Sequence, residues 1–379
     1  MSSVSFLEKL LDGVDVEATP LEKVAEIKRG TSITKKDVTP GKIPVIAGGR
    51  TPAYFHSVSN RTGQTIVIAG SGAYAGFVSW WDQPIFVSDA FTVKPYSGLL
   101  PKYCFYWLHG MQQQLHELKS GGGVPHVYPR DVAPLQIPIP CPDNPKKSLE
   151  IQAEIVRILD SFTELTAELT AELTARKKQY NYYRDKLLSF EEGEVEWKTL
   201  GDLAENLDSM RRPITSGLRE PGDIPYYGAS GIVDYVKDYI FDCDLLLVSE
   251  DGANLLARNT PIAFSISGKS WVNNHAHVLK FKTSVERKYV EYYLNSIDLT
   301  PYISGAAQPK LNKKSLESIR IPNPPPEDKK RIVDILDKFD ALTGSISDGL
   351  PREIELRQKQ YEHYRNLLLN FPKPEAAGE

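Results

Sequence analysis

The sequence predicts an α+β protein made of two similar halves, in which two small β-rich modules are separated by two long helices. Two blocks of sequence occur twice. IVRILDSF at 155–162 returns as IVDILDKF at 332–339, and RKKQYNYYRDKLLSF at 176–190 returns as RQKQYEHYRNLLLNF at 357–371. The segments between these blocks are rich in Gly, Pro, Tyr and β-branched residues. Such a duplication favours a pseudo-two-fold relation between the halves.

The first long helix is predicted over residues 149–189, with Ser148 as its N-cap. Its apolar side chains follow the seam of a coiled coil, with spacings of 4, 3, 4, 3 and 4 residues at Ile151, Ile155, Ile158, Phe162, Leu165 and Leu169. A four-residue repeat, TAEL, then continues the apolar stripe to Leu173. At a rise of 1.5 Å per residue, such a helix spans roughly 60 Å.

The second long helix repeats this seam and is predicted to break once. Its apolar positions are Ile332, Ile335, Phe339, Leu342 and Ile346, followed by Ile354, Tyr361, Tyr364 and Leu368. Between the two groups, Gly349 and Pro351 interrupt the helical pattern. Two amphipathic helices with one apolar stripe each are expected to pack against each other, antiparallel if a two-fold axis relates the halves.

The modules read as strands bounded by turns, expected at 64–70, 84–95, 244–251, 260–267 and 276–282. Weak repetition continues between them. GKIPV at 41–45 matches GDIPY at 222–226, and GSGA at 70–73 lies opposite EDGA at 250–253. The element order agrees while the surface residues differ, which is typical of two recognition modules with different targets. A pseudo-dimer of this kind suits a ligand with two half-sites, and bipartite DNA is the leading candidate.

Four domains are expected on this basis: a first module at 1–140, a spacer helix at 141–195, a second module at 196–322 and a second spacer helix at 323–379. The net charge is −4, but the charge is unevenly spread. Residues 18–140 hold 12 Lys and Arg against 7 Asp and Glu, and residues 198–322 balance at 15 against 15. The acidic excess lies in the remaining segments, so the total does not exclude a nucleic-acid partner.

Several other classes of protein are not expected. No run of 18 apolar residues exists, and the first residues lack the basic region of a signal peptide. The three cysteines lie far apart, which favours a reducing, cytoplasmic compartment. SGKS at 267–270 lacks the first glycine of a P-loop, and HAH at 275–277 has no evident third metal ligand. Neither a metal nor a catalytic centre is expected.

On these blocks the chain resembles the specificity subunit of Type I restriction–modification enzymes, over essentially its whole length. The resemblance rests on the duplicated helix blocks and on the proline-rich exit from each module. It also rests on the echo between LLDGVDVE at 10–17 and SFEEGEVEWKTL at 189–200. The TAEL repeat looks like that of the IC subgroup.

The resemblance implies that each module is a target recognition domain that reads one half of a bipartite, asymmetric site in double-stranded DNA. It implies that the helices act as a spacer and dock two methyltransferase (modification) subunits, and that two motor-nuclease (restriction) subunits complete the complex. The chain itself would be non-catalytic and bind no cofactor, with S-adenosylmethionine, ATP and Mg²⁺ on the partner subunits. The alternatives are a coiled-coil adaptor without a DNA role, and a methyltransferase or nuclease with its own recognition domains.

Loops that face DNA are expected to hold side chains that contact phosphates and base edges. In the first module the candidates are Lys35, Lys36, Arg50, Tyr74 and His126. In the second module the candidates are Arg211, Arg212, Tyr227, Ser230, Asn254, Arg258, Asn274, His275 and Lys310. For Glu250 and Asp251, turn formation is favoured over acceptance of a hydrogen bond from a cytosine amino group.

Overall fold

The computed structural model describes residues 13–121, 123–305, 308–344 and 349–371. Part of the N-terminal echo (residues 10–12) and the predicted seam residue Ile346 lie outside these ranges. The chain divides into two compact units. Unit 1 comprises Met1–Leu169 and Ile354–Glu379, and unit 2 comprises Thr170–Glu353. Each unit therefore combines one β-rich module with a part of each helical repeat.

Between residues 13 and 140, the described part of the first module has nine strands and four short helices. The strands are β1 (Val16–Pro20), β2 (Ala25–Arg29), β3 (Ile43–Ile46), β4 (Tyr54–His56), β5 (Gln64–Ala69), β6 (Val78–Asp82), β7 (Phe86–Val87), β8 (Ala90–Pro95) and β9 (Gln136–Pro140). The helices are α1 (Leu21–Val24), α2 (Pro101–Gly110), α3 (Gln112–Glu117) and α4 (Pro129–Val132).

These strands form three sheets. An antiparallel sheet has the order β2-β8-β5-β6, a second sheet has the order β4-β3-β7 with β3 and β7 parallel, and β1 pairs with β9. The single strand expected over 84–95 is wrong: it is two strands in two different sheets. The chain crosses between the sheets at Ser88 and Asp89, where neither ladder continues.

The first long helix, α5 (Pro145–Leu188), begins earlier than predicted and contributes to both units. Its N-cap is Asn144, whose Oδ1 accepts a hydrogen bond from Lys147 N at 3.1 Å. Pro145 suits the first helical position because an N–H there would have no partner within the helix. The prediction of Ser148 as N-cap is therefore wrong. Ser148 is buried in the first turn, and its Oγ accepts from Gln152 Nε2.

The second module repeats the plan of the first. Its strands are β10 (Glu196–Thr199), β11 (Glu205–Asn206), β12 (Pro221–Gly228), β13 (Gly231–Val236), β14 (Phe241–Asp242), β15 (Leu245–Ser249), β16 (Ala263–Ile266), β17 (Lys269–Val272), β18 (Ala276–Lys280) and β19 (Arg320–Asn323). Its helices are α6 (Leu200–Leu203), α7 (Asn254–Ala257), α8 (Ser284–Ser296) and α9 (Lys313–Glu317).

The sheet orders of the second module correspond to those of the first. The antiparallel sheet β11-β18-β15-β16 matches β2-β8-β5-β6, and β10 pairs with β19 as β1 pairs with β9. The sheet β13-β12-β17-β14 repeats the pairings of β4-β3-β7, with β12 and β17 as the parallel pair, and has β14 as a fourth strand. The internal repeat inferred from the helix blocks is thus confirmed by strand order across both modules.

The second helical repeat forms α10 (Pro326–Gly344) and α11 (Leu350–Leu369). The helix is broken where the sequence predicts it. Pro351 lies in the first turn of α11, where its missing N–H costs little. No helix in the described part of the chain is long and apolar enough to cross a membrane.

The two copies of the helix blocks exchange roles in the two units. In unit 1, Phe162 of α5 stacks on Tyr364 of α11 with ring centroids 5.2 Å apart. In unit 2, Phe339 of α10 stacks on Tyr183 of α5 at 5.8 Å. Each unit thus pairs the phenylalanine of one sequence copy with a tyrosine of the other copy, which is the reciprocity expected of duplicated blocks.

In each unit, a tyrosine–aspartate hydrogen bond also joins the module to its copy of the first helix block, residues 155–162 or 332–339. In unit 1 the hydroxyl of Tyr106 donates to Asp160, and in unit 2 Tyr292 Oη donates to Asp337 Oδ1 at 2.6 Å. Apolar residues of the same block complete the module cores. Ile155 and Leu159 are fully buried in the core of unit 1, and Ile332 and Leu336 enter the core of unit 2.

Candidate nucleic-acid interface

In unit 1, four loops meet beyond the ends of β3, β5 and β7. The module 1 loop cluster is defined as residues 47–50, 70–76, 88–89 and 123–128. Backbone hydrogen bonds join the second and fourth of these loops, from Gly72 N to Pro125 O at 2.9 Å and from Val127 N to Gly70 O at 3.0 Å. Loops that are far apart in the sequence thereby form one surface.

Glycine at position 48 makes this convergence possible. A Cβ atom there would lie 2.3 Å from the carbonyl oxygen of Ser71, far inside van der Waals contact, so only Gly48 lets the two loops approach. The hydroxyl of Ser71 in turn donates to the carboxylate of Asp89. The first three loops are thus linked through Ser71.

Three predicted site residues lie in this cluster. The guanidinium of Arg50 lies over the ring of Tyr74, 4.9 Å from its centroid, and Tyr74 is 42% exposed. The ring of His126 stacks on that of Tyr128 at 5.7 Å. An exposed Arg–Tyr pair and a stacked imidazole are groups that contact phosphates and bases.

The other two candidates of this module, Lys35 and Lys36, are exposed at the tip of a turn. Thr34 Oγ1 donates to Asp37 Oδ2 at 2.6 Å, and the hydroxyl and amide of Thr34 hold the pKa of Asp37 below its usual value. Ile33 N donates to Ser88 Oγ at 3.2 Å, which ties the base of this loop to the module 1 loop cluster. The lysines therefore extend from the same side of the module.

In unit 2, the corresponding loops also meet. The module 2 loop cluster is defined as residues 208–214, 228–231, 249–254, 273–275 and 308–311. Glu250 lies at its centre: its backbone N donates to His275 O at 2.9 Å, and its carbonyl accepts from Leu311 N at 2.8 Å. The hydroxyl of Ser249 donates to the carbonyl of Ala229 at the tip of the β12–β13 hairpin.

The side chain of Glu250 binds two of the predicted DNA-contacting residues. Arg211 Nη1 donates to Glu250 Oε2 at 2.5 Å, and Lys310 Nζ lies 3.1 Å from Oε1. Arg211 also donates to the carbonyl of Ala276 at 2.8 Å, and its side chain is largely buried. Arg211, expected at the DNA, is therefore engaged inside the protein, whereas the side chain of Lys310 is half exposed.

Burial alone would raise the pKa of Glu250, but the hydrogen bonds from Arg211 and Lys310 outweigh it and lower that pKa. The same balance lowers the pKa of Asp208, where the hydrogen bond to His277 is the largest opposing effect. The cluster thus holds its carboxyls ionised and paired.

Asp208, Glu250 and His277 lie close enough together to hold a metal ion. However, His277 Nδ1 lies 2.6 Å from Asp208 Oδ2 and Nε2 lies 2.7 Å from the carbonyl of Leu311, so both ring nitrogens face oxygen acceptors. Arg211 and Lys310 also already bind the carboxylate of Glu250. The arrangement is an ion-pair network that fixes loops.

Four further candidates face solvent in or beside this cluster. Ser230 lies exposed at the hairpin tip, and Asn274 is exposed next to His275. His275 Nδ1 lies 2.9 Å from Asp251 Oδ2. The backbone carbonyl of Arg212 accepts from Trp271 Nε1 at 2.6 Å, and its exposed guanidinium donates to the carbonyls of Ser209 and Arg211 in its own turn. Each of these side chains is accessible to a ligand.

The structure does not bring the remaining three candidates to the exposed surface of the cluster. Tyr227 is half-buried beside Phe264, and burial raises its pKa. Asn254 hydrogen-bonds the backbone of Thr260 in both directions. Arg258 has a left-handed backbone (φ 55°), and its guanidinium donates to the carbonyl of Ile297 at the end of α8. These side chains hold local structure together.

Sequence reasoning missed a basic and aromatic group in unit 1. The guanidinium carbons of Arg29 and Arg130 lie 5.6 and 4.8 Å from the ring centroid of Tyr128. Arg29 is the last residue of β2 and is distant in sequence from Tyr128 and Arg130. Only the pairing of β2 with β8, which no local pattern reveals, brings it there.

The duplicated modules, the reciprocal helices and the two loop clusters define a two-module recognition protein without a catalytic constellation in its described loops. Residues 13–176 and 192–356 each match the family model for the Type I restriction modification DNA specificity domain. The chain belongs to this family, which confirms the resemblance found in the sequence and the expectation of a specificity subunit rather than a catalytic one.

The chain is similar to two specificity subunits from Escherichia coli. It is 39% identical over 412 aligned positions to the Type I restriction enzyme EcoR124I/EcoR124II specificity subunit, with full coverage of both chains. It is 35% identical to the EcoprrI specificity subunit, covering 92% of this chain and 93% of that one.

Solved structures share the fold. The S subunit of a Type I restriction–modification system from M. genitalium superposes with a TM-score of 0.66 at 19% identity, covering 96% of this chain and 98% of that one. A chain from a study of complex assembly and conformational transition of the type I R-M system gives 0.57 at 15% identity, covering 95% and 99%. At these identities the likeness concerns the fold alone.

Proposed function

We propose that this chain gives a Type I restriction–modification enzyme its DNA sequence specificity. One observation carries the proposal: two loop clusters occupy corresponding places in two modules of the same strand order, yet they present different side chains. Where module 1 has Ser71 bridged to His126, module 2 has Asp251 bridged to Lys310. Two readers of unlike sequences require a common scaffold with different base-contacting groups.

In this proposal the module at 1–140 reads one half of a bipartite, asymmetric site in double-stranded DNA, and the module at 196–322 reads the other. The DNA contacts of the first module come from Lys35, Lys36, Arg50, Tyr74 and His126. Those of the second come from Arg212, Ser230, Asn274, His275 and Lys310. Arg211 positions the loops through Glu250, and Tyr227, Asn254 and Arg258 maintain the fold.

The helical segments at 141–195 and 323–379 would then serve as spacer and as docking surface. They would bind two methyltransferase subunits, which two motor-nuclease subunits join in the complete enzyme. S-adenosylmethionine, ATP and Mg²⁺ would act on those partners, in the cytoplasm. The half-buried apolar seam of α5 supports a role in which long helices are held in a fixed register.

The test begins with the methylation pattern of a host that carries this chain and its partner subunits, which identifies the bipartite site. Binding of the purified chain to a duplex with that site is then measured against salt, with and without the methyltransferase subunits. We expect log K to fall linearly with log salt, and tight binding to be lost when either half-site is scrambled. Equal affinity for site and scrambled duplex would contradict the proposal and favour an adaptor.

A further inference from the structure

A cavity of about 350 Å³ opens beside the module 1 loop cluster. Arg29 and Asp89 contribute its charged side chains, His126 and Tyr128 its polar rings, and Phe91 its apolar floor. Gly70 contributes only backbone to the lining, and a Cβ atom there would lie 3.3 Å from the carbonyl oxygen of Asp89. Arg29 and Asp89 are both exposed, and Arg29 forms no salt bridge with any residue in the described ranges.

The corresponding space in module 2 is occupied. The strand register relates the two modules: Ile68 pairs with Phe91 in module 1 as Val248 pairs with His277 in module 2. Ile68 therefore corresponds to Val248. Two residues further along each strand, Gly70 corresponds to Glu250. Module 2 therefore has a carboxylate with a bound guanidinium at the position where module 1 has no side chain.

A second pair of corresponding positions carries opposite charges in the two modules. Arg29 pairs with Phe91 across β2 and β8. In module 2, Asn206 pairs with Leu279, and continuing this register by two residues places Asp208 opposite His277. Arg29 thus corresponds to Asp208. Module 2 satisfies its acids internally, whereas module 1 leaves an arginine and an aspartate at the mouth of an open cavity.

We propose that this cavity receives the major-groove edge of a G·C base pair, and the proposal rests on the DNA-binding function proposed above. Arg29 donates to guanine O6 and N7, and Asp89 accepts from the amino group of the paired cytosine. Only guanine offers two adjacent acceptors to a guanidinium in the major groove, and its partner cytosine offers a donor. An arginine and an acidic acceptor at one cavity match this pattern.

The surroundings support a base edge over a phosphate. A phosphate would be repelled by the carboxylate of Asp89, whereas a cytosine amino group needs such an acceptor. The ring of Tyr128 lies under the guanidinium of Arg29 and restricts its orientation. The hydroxyl of Ser71 donates to Asp89 and restricts that carboxylate in the same way. Both groups are therefore held in place before DNA arrives.

The experiment selects bound duplexes from a pool randomised in both half-sites, using the full chain with its methyltransferase partners. For the wild-type chain we expect a strict G·C requirement at one position of the module 1 half-site. Arg29→Ala should reduce the preference for G·C at that position by on the order of 10-fold or more. Asp89→Ala should relax the same position, and the module 2 half-site should stay unchanged.

Lys28→Ala is the matched control. Lys28 is exposed on the same strand and carries the same charge, but successive side chains of a strand point to opposite faces, so it does not line the cavity. It should leave base preference unchanged. Thermal unfolding of each variant verifies that the fold is kept.

Two results would overturn the proposal. In one, Arg29→Ala lowers affinity equally for all sequences and reduces the salt slope by about one, which is the behaviour of a phosphate contact. In the other, no position of the module 1 half-site changes. A wild-type chain that selects no sequence in either half would instead refute the DNA-binding function itself.

Discussion

At the residue scale, Glu250 determines how the loops of module 2 are held. It is 8% exposed and binds Arg211 and Lys310. Glu250→Gln should lower the free energy of unfolding of unit 2 by about 2 kcal/mol near neutral pH, because the hydrogen bonds from Arg211 and Lys310 lose their charged acceptor. Urea unfolding followed by tryptophan fluorescence measures the loss, and Trp271, whose indole donates to the carbonyl of Arg212, reports on this cluster.

The same variant has a defined pH dependence. The pKa of Glu250 is lower in the folded protein than its ordinary value of 4.5. Its stabilisation is therefore present above that pH and is lost as the pH falls through the folded-state pKa. The gap between wild type and Glu250→Gln should close below about pH 4.5. Glu220→Gln, which removes an exposed ion pair with Lys237, is the control and should change little at any pH. A gap that stays constant with pH would contradict this account.

Sequence reasoning located the loops at this scale but not the direction of each side chain. Arg50, Tyr74 and His126 do converge. Arg258 does not, since a left-handed backbone at that residue turns its guanidinium toward the end of α8, and no local pattern indicates such a backbone at an arginine. For Arg211, the sequence does not indicate that Glu250, 39 residues later, binds its guanidinium.

At the scale of elements, the tyrosine–aspartate contacts join each module to its helix. Tyr292→Phe removes the hydroxyl that donates to Asp337 and should destabilise unit 2 by about 1 kcal/mol. Tyr289→Phe, one helical turn away on α8, is the matched control. Its buried hydroxyl has no hydrogen-bond partner among the described residues, so its removal should be neutral or stabilising. If chemical denaturation gave the same loss of unfolding free energy for both variants, packing and not the hydrogen bond would account for the stability of this contact.

The elements themselves were largely predictable, because a seam of apolar residues at spacings of 3 and 4 leaves little choice but a helix. The errors occurred where tertiary structure decides. Residues 84–95 have uniform strand character, but the crossing at Ser88 and Asp89 depends on which sheet receives each end. Ser148 is a good N-cap in isolation, but the preceding Asn144 and Pro145 begin the helix a turn earlier.

At the scale of the whole molecule, the modules should act independently on specificity. Each has its own core and its own loop cluster. Replacing residues 18–140 by the corresponding module of another family member should change one half-site and leave the other as it was. The methylation pattern of a host carrying the hybrid reports the outcome. A change in both half-sites would show that the modules do not read DNA separately.

The length of α5 should set the number of base pairs between the half-sites. Deleting one TAEL block, residues 166–169, shortens an α-helix by about 6 Å and rotates one end by about 40° beyond a full turn. One base pair of DNA advances about 3.4 Å, so the preferred spacer should shorten by about one to two base pairs while both half-sites are kept. Replacing the block by AAEL, which keeps the helix length, is the control and should leave the spacing unchanged. If methylation sequencing found the original spacing after the deletion, the helix would not act as a ruler, and the separation of the half-sites would have to be set by the partner subunits.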